Sequence, residues 1–295
     1  MPSILQLVPL GSAMNKKLEK SEPPSTEGAV NTRIEKKQVE ERIAITAHVV
    51  YETIRREGDE ELHRPAAALA WSALAAGLAM GFSFIAEALL ASFLPNHPWR
   101  QLISRLGYSV GFLIVVLGRQ QLFTENTLTA VLPLLLHKEW KIFVRVARLW
   151  TVVLSANLVG TFLFALCIAH VAIFDSPVRQ CLMEIGVSHL GSSFGVVFVR
   201  AIFAGWLIAL MVWLLPGAES ARVSIIIIIT YLITLGGFNH IIAGSTTMFY
   251  LVLIKSISWG TYLTNFFFPT LLGNILGGVS LVAALGHAQV VGGKE

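Results

Sequence analysis

Six apolar stretches, each longer than a bilayer crossing requires, limit this chain more than any other feature does. They lie near residues 66–94, 103–136, 142–174, 192–215, 223–251 and 262–286. Each exceeds the ~20 residues that carry a helix across ~30 Å of hydrocarbon, which leaves room for tilt or interruption. A chain of 295 residues that is 55% hydrophobic and only 14% charged belongs to the membrane class. Only helices and closed barrels satisfy their own backbone inside lipid, and runs of this length are helices. The expectation is an all-α membrane protein with six transmembrane helices.

The charges orient it. Residues 1–65 hold 10 of the 22 Lys and Arg and 11 of the 18 Asp and Glu. The net charge of +4 therefore reflects membrane flanks and not a nucleic-acid face. Lys138, Lys141, Arg145 and Arg148 lie between helices 2 and 3, against Arg179 alone between helices 3 and 4 and Lys255 alone between helices 5 and 6. By the positive-inside rule both termini are cytosolic, although Arg100 and Arg105 run against the count. The expected organisation is a cytosolic tail over 1–64, a channel domain over 65–288 and a cytosolic C-terminal tail over 289–295. The tail is polar to residue 33, as disorder requires. From Ile34 to Arg56, Val39, Ile43, Val50 and Ile54 recur at helical spacing among charges and predict an amphipathic helix. Met1 to Met14 lacks the basic n-region of a cleavable signal, so the first membrane helix is expected to direct insertion.

Helices 2 and 5 are interrupted by polar residues at mid-length. The first break runs Gly118-Arg119-Gln120-Gln121-Leu122-Phe123-Thr124-Glu125-Asn126-Thr127, the second Gly236-Gly237-Phe238-Asn239-His240 with Gly244-Ser245-Thr246-Thr247 just after. Irregular backbone at membrane depth is tolerated only where it is buried in protein or lines a cavity, because each unsatisfied group costs several kcal/mol. The alternative for the first break, a long helix followed by a solvated loop, leaves Leu128 to Leu136 too short to recross. Helix 3 carries Asn157-Leu158-Val159-Gly160 and helix 6 carries Asn274-Ile275-Leu276-Gly277. With three helices per half the second copy enters from the opposite face, which gives two inverted three-helix repeats. Corresponding broken helices in two such halves point to a substrate site near the midplane. His240 sits in one of them, and an ionisable side chain at that depth faces a cavity, a partner or a pathway.

Other features read more plainly. Glu87, in the last two turns of helix 1, is expected at the interface, and Cys181 in a loop. Asn157 and Asn274 are expected to bridge broken backbone and helix ends, and Asn126, Gly237 and Gly244 are further expected helix-break residues. Trp71, Trp99, Trp140, Trp150, Trp213 and Trp259 fall near helix ends, as an aromatic belt would. No nucleophile-base set, metal cluster or phosphate-cradling loop can be assembled within the membrane, so neither enzyme activity nor a cofactor is expected.

The residues also carry a resemblance. Gly118-x-x-x-Leu122-Phe123-Thr124-x-Asn126 resembles the G-A-E-L-F-T-x-N signature of the formate/nitrite transporter family. Gly237-Phe238-Asn239-His240-x-Ile242-Ala243 is similar to its G-F-E-H-S-V-A-N signature, and Leu272-Gly273-Asn274-Ile275-Leu276-Gly277-Gly278 to its L-G-N-I-I-G-G. The chain is identified on these as a divergent bacterial member with an N-terminal cytosolic extension. The resemblance implies an aquaporin-like fold, a homopentamer with one pore per subunit, and an inner-membrane channel or transporter for small monovalent anions, often with proton coupling. Carried over by position, Thr124 faces His240 at the pore centre, with Leu122 and Phe123 at a constriction and Phe238 and Asn239 along the pathway. A histidine there can donate a proton or a compensating charge to an anion that must shed water, and Thr124 can fix its tautomer.

This chain departs from the pattern in several places. Asn239 replaces the family acid before the histidine and Gly244 the asparagine after it, while Gly205 and His189 replace an asparagine and a basic residue near helix 4. Arg119 and Glu125 are added charges, expected either to pair with each other or with Asn239, or to snorkel toward an interface. Two further readings stay open: an aquaporin-like pore for neutral solutes, and a non-conducting membrane scaffold.

Overall fold

The computed structural model describes residues 45–283, with side chains through Ser280. The tail before residue 45, including the part of the amphipathic helix expected over 34–44, and the C-terminal residues 284–295 lie outside the described residues. All regular structure within them is helical.

The first helix, α1 (Ala47–His63), is amphipathic as expected but runs further toward the membrane domain. Thr46 caps it, its Oγ1 accepting from the Val49 amide at 3.4 Å. Its buried stripe is Val50, Ile54, Gly58 and Leu62, one residue per turn. A Cβ on Gly58 would lie 2.0 Å from the Thr129 carbonyl oxygen, so α1 is pressed directly onto the broken second helix.

Then come α2 (Ala66–Phe93), α3 (Arg100–Leu117, with a 3-10 turn at Arg105–Tyr108), α4 (Phe123–Thr129), α5 (Val131–His137) and α6 (Trp140–His170). After α7 (Ser176–Ser188) follow α8 (Phe194–Leu214), α9 (Arg222–Leu235), α10 (Ile241–Leu253) and α11, residues 259–283. In α11 a π segment at Tyr262–Phe267 precedes Pro269, whose missing N–H cannot continue the α ladder. Among the described residues, four helices are long and apolar enough to cross a membrane: Ala66–Phe93, Arg100–Leu117, Trp140–His170 and Phe194–Gly217. By contrast α9 and α10, at 14 and 13 residues, reach only ~20 Å each and must meet at mid-depth to span.

Two close crossings hold the bundle. Along α2 and α6, Gly77 would meet the Asn157 carbonyl at 2.2 Å and Gly160 the Leu74 carbonyl at 2.5 Å if either bore a Cβ. Along α8 and α11, Gly205 meets the Asn274 carbonyl at 2.4 Å and Gly277 the Ile202 carbonyl at 2.2 Å on the same terms. Small residues let these backbones approach, the ordinary basis of helix packing in lipid. Gly205 has no room for the side chain that the family pattern has there.

Three expectations need correction. Glu87 is not interfacial: it is 6% exposed and points inward. Cys181 is not in a loop but buried on α7, where its Sγ accepts from Arg100 Nη2 at 3.1 Å; the Asp175-Ser176-Pro177 start of that helix was a legible N-terminal signal. Trp150 does not stand in an interfacial belt. Its Nε1 donates to the Asn126 carbonyl at 3.1 Å inside the bundle.

Candidate functional site

The two breaks share one backbone design. In the first, α3 ends as the Arg119 amide donates to Val116 O (3.2 Å) and the Gln120 amide to Val115 O (3.0 Å). In the second, α9 ends as the Gly237 amide donates to Thr234 O (3.1 Å) and the Phe238 amide to Ile233 O (3.0 Å). Both are Schellman ends, which require a left-handed residue. Arg119 takes it at φ +49° and Gly237 at φ +63°. The chain then turns extended at Leu122 (φ −110°, ψ 126°) and at His240 (φ −108°, ψ 127°), the cap positions of α4 and α10.

An asparagine from the following full-length helix stitches each break. Asn157 Oδ1 accepts from the Phe123 amide (3.0 Å), while its Nδ2 donates to Ala73 O (2.7 Å) and Gln121 O (2.9 Å). Asn274 Oδ1 accepts from the Ile241 amide (2.8 Å), while its Nδ2 donates to Ala201 O (2.8 Å) and Asn239 O (2.9 Å). The Phe123 and Ile241 amides and the Gln121 and Asn239 carbonyls are thereby each given a side-chain partner. Asn126, an expected helix-break residue, lies within α4, where its Nδ2 donates to Gln121 Oε1 at 2.9 Å.

One hydrogen bond joins the two breaks, between Thr124 Oγ1 and His240 Nε2 at 2.7 Å, both side chains being buried. His240 Nδ1 accepts from the Ala243 amide at 3.2 Å and so caps α10. With Nδ1 serving as an acceptor, the ring proton sits on Nε2 and is donated to Thr124. Losing such a cap costs about 1 kcal/mol. Phe112 of α3, which the sequence reasoning did not single out, packs edge-on against the imidazole at 5.1 Å between centroids. Leu122 and Phe123 are buried beside the pair, and Phe123 is fixed edge-on to Trp150 at 5.9 Å. Phe238 stacks on Phe203 at 5.2 Å. The space that a Gly244 side chain would fill is taken by the Phe266 ring, 2.3 Å from the ideal Cβ.

Two cavities border the breaks. One, of about 740 Å³, opens beside α1 and is lined by Arg119, Gln121, Glu125, Asn126, Glu61 and Arg222 among others. The other encloses about 20 Å³ and is lined by Glu87, Tyr108, His189, Phe238, Asn239 and His240 among others. They sit at opposite ends, because α3 runs from the Tyr108 end to the Leu117 end while α9 runs from the Arg222 end to the Thr234 end. His189 is thus brought to the same space as His240, its Nδ1 donating to Ile185 O at 2.8 Å. Arg119 and Glu125 are brought to the larger cavity, but the expected ion pair between them is not formed among the described residues, and Glu125 Oε1 is left without a partner.

Sequence reasoning also missed Glu61. Near the end of α1 it reaches into the larger cavity, Oε1 accepting from Gln121 Nε2 (2.9 Å) and Oε2 from Thr129 Oγ1 (3.0 Å). Burial raises its carboxyl above the usual carboxylate range, against the lowering pull of the two hydrogen bonds; Glu57 adds to the rise and Arg64 opposes it. On the outer face of α1, hydrogen bonds from Arg55 and Arg56 instead hold the Glu52 carboxyl down at about 2.

The family model described as Formate/nitrite transporter matches residues 48–288. "Inner membrane protein YfdC" of Escherichia coli K12 is 42% identical over 251 residues, which cover 85% of this chain and 81% of that protein. "Formate channel BtFdhC" of Bacillus thuringiensis is 27% identical over 213 residues, 69% of this chain and 81% of its own. Among solved structures, one described as a pentameric formate channel with formate bound superposes with a TM-score of 0.65 at 22% identity, covering 77% of this chain and 98% of that one.

Proposed function

This chain belongs to the formate/nitrite transporter family, and from that premise we propose that it passes small monovalent anions of the formate or nitrite type across a cytoplasmic membrane, by a path centred on Thr124 and His240. The observation that carries the reading is the 2.7 Å hydrogen bond between them, which places two polar side chains from two different helix breaks at one buried point. An anion arriving there has shed most of its water and needs donors in return. The imidazole Nε2–H fixes Thr124 Oγ1 as an acceptor, which leaves the threonine hydroxyl proton for the anion. Leu122, Phe123 and Phe238 form the apolar walls that strip water, Asn239 lends its amide beside the histidine, and Arg119, Glu125 and His189 set the field at the two ends.

In this reading α2 to α11 form six spans in two inverted halves, the α1 side faces the cytosol with both termini, and five copies associate with one pore each. Residues 1–64 form the cytosolic extension, 65–288 the channel domain and 289–295 the C-terminal tail. Transport is coupled to protons, because a weak-acid anion crosses an apolar wall far more easily as the neutral acid. Purified protein in liposomes is expected to pass formate faster at acid than at neutral pH, and His240→Phe to abolish the flux at both. Glycerol flux in place of formate flux would instead mark a neutral-solute pore.

A further inference from the structure

One buried acid has no task in the reading above. Glu87 lies on α2 at 6% exposed, lining a cavity with Ser83, Tyr108 and His189, and among the described residues its carboxyl has no hydrogen-bond or ion-pair partner. An ionisable group inside a membrane protein is expensive and persists where it serves a pathway. Glu87 and His240 line the same enclosed space of about 20 Å³, room for about one water molecule. Both side chains therefore border one space that an anion on its way to His240 would enter.

The other groups that face Glu87 are already engaged. Arg105 of the 3-10 turn donates to Thr234 O and, at 3.0 Å, to Thr234 Oγ1. His189, at the end of α7, gives its Nδ1–H to Ile185 O. Tyr108, beside Arg105, offers a phenol and no acid chemistry at ordinary pH. His240 uses both nitrogens, Nε2–H toward Thr124 and Nδ1 toward the Ala243 amide. A second proton can enter that ring only at Nδ1, where it would point straight at the Ala243 N–H and break the cap of α10.

We propose that Glu87, and not His240, is the group that exchanges a proton with the permeating anion. At the end of the path away from α1, the Glu87 carboxyl gives its proton to the anion. Its O–H bond breaks, an O–H bond forms on the substrate, and no electrons change hands. The neutral acid moves past Thr124 and His240, which act as fixed hydrogen-bonding groups, and the Glu87 carboxylate recovers a proton from the water at its own end.

The proposal rests on the anion-pore reading, and its test separates the two. Formate flux is measured across a series of external pH values in liposomes carrying the full chain or its Glu87→Gln variant. The wild type is expected to speed up with acidity. The variant is expected to lose that rise, falling about a hundredfold behind at the acid end, the lower range of what a positioned proton donor contributes. An E87Q profile parallel to the wild type overturns the role of Glu87 and leaves the pore reading intact, whereas a wild type that passes no formate overturns both. If E87Q does not assemble, Glu87→Asp decides: a displaced pH profile supports the proposal and an undisplaced one overturns it.

Discussion

At the scale of single residues, the matched breaks set up an internal comparison. Arg119 and Gly237 occupy equivalent left-handed positions, at φ +49° and +63°, but only glycine does so without strain. A side chain in that conformation costs about 1–2 kcal/mol. Arg119→Gly is therefore expected to raise thermal stability by roughly that amount, and Gly237→Ala to lower it by a similar one, as read by the melting of detergent-solubilised protein. A destabilised Arg119→Gly would show that the guanidinium makes a contact worth more than the strain. This residue also illustrates what could be read in advance. The polar runs announced the breaks, and their spacing to Asn157 and Asn274 announced the stitches. Nothing local announced that Arg119 would avoid Glu125, since a pair six residues apart depends on which way a left-handed turn throws each side chain. Glu87 was misjudged for a related reason: distance from the end of a helix says nothing about which face is buried. Its i,i+4 relation to Ser83, which is also buried, was the available clue.

At the scale of elements, α1 supplies one wall of the larger cavity. Its amphipathic character was legible in Val50 and Ile54. Its register was not, because Gly58 reads as a helix weakener until the Thr129 carbonyl is found against it. Glu61 then makes its docking depend on pH. With the docked carboxyl raised above its free value of about 4.3, the docking contribution is fully present below that free value. It is lost as pH rises through the raised one. Amide exchange in α1, corrected for intrinsic rates, is expected to accelerate over the pH range above that free value. In Glu61→Gln, which keeps a hydrogen-bonding group but no charge, the exchange is expected to be slow and flat across that range. Equal pH dependence in both proteins would remove Glu61 as the cause.

For the whole molecule, the outer surface matters most. Trp71, Phe93 and Trp140 are 73%, 84% and 75% exposed, alongside many exposed leucines and valines on α2, α6 and α8. Such a surface suits lipid or other copies of the chain. Native mass spectrometry from mild detergent is expected to give five copies; a monomer under conditions that preserve formate flux would count against the pentamer. The helix stretches and their breaks were visible as hydrophobic runs, while α7 was hidden because a 13-residue segment of mixed polarity matches no spanning pattern.

The two asparagine stitches bear on how the protein comes off the ribosome. Asn157 secures the first break using only residues 73–157, and Asn274 secures the second using only residues 201–274. The first can close before the second half has been translated, so a nascent chain never has to hold an open, half-satisfied helix in lipid while it waits for distant sequence. The bond between Thr124 and His240 needs residues from both halves, so it has to wait until His240 has been made.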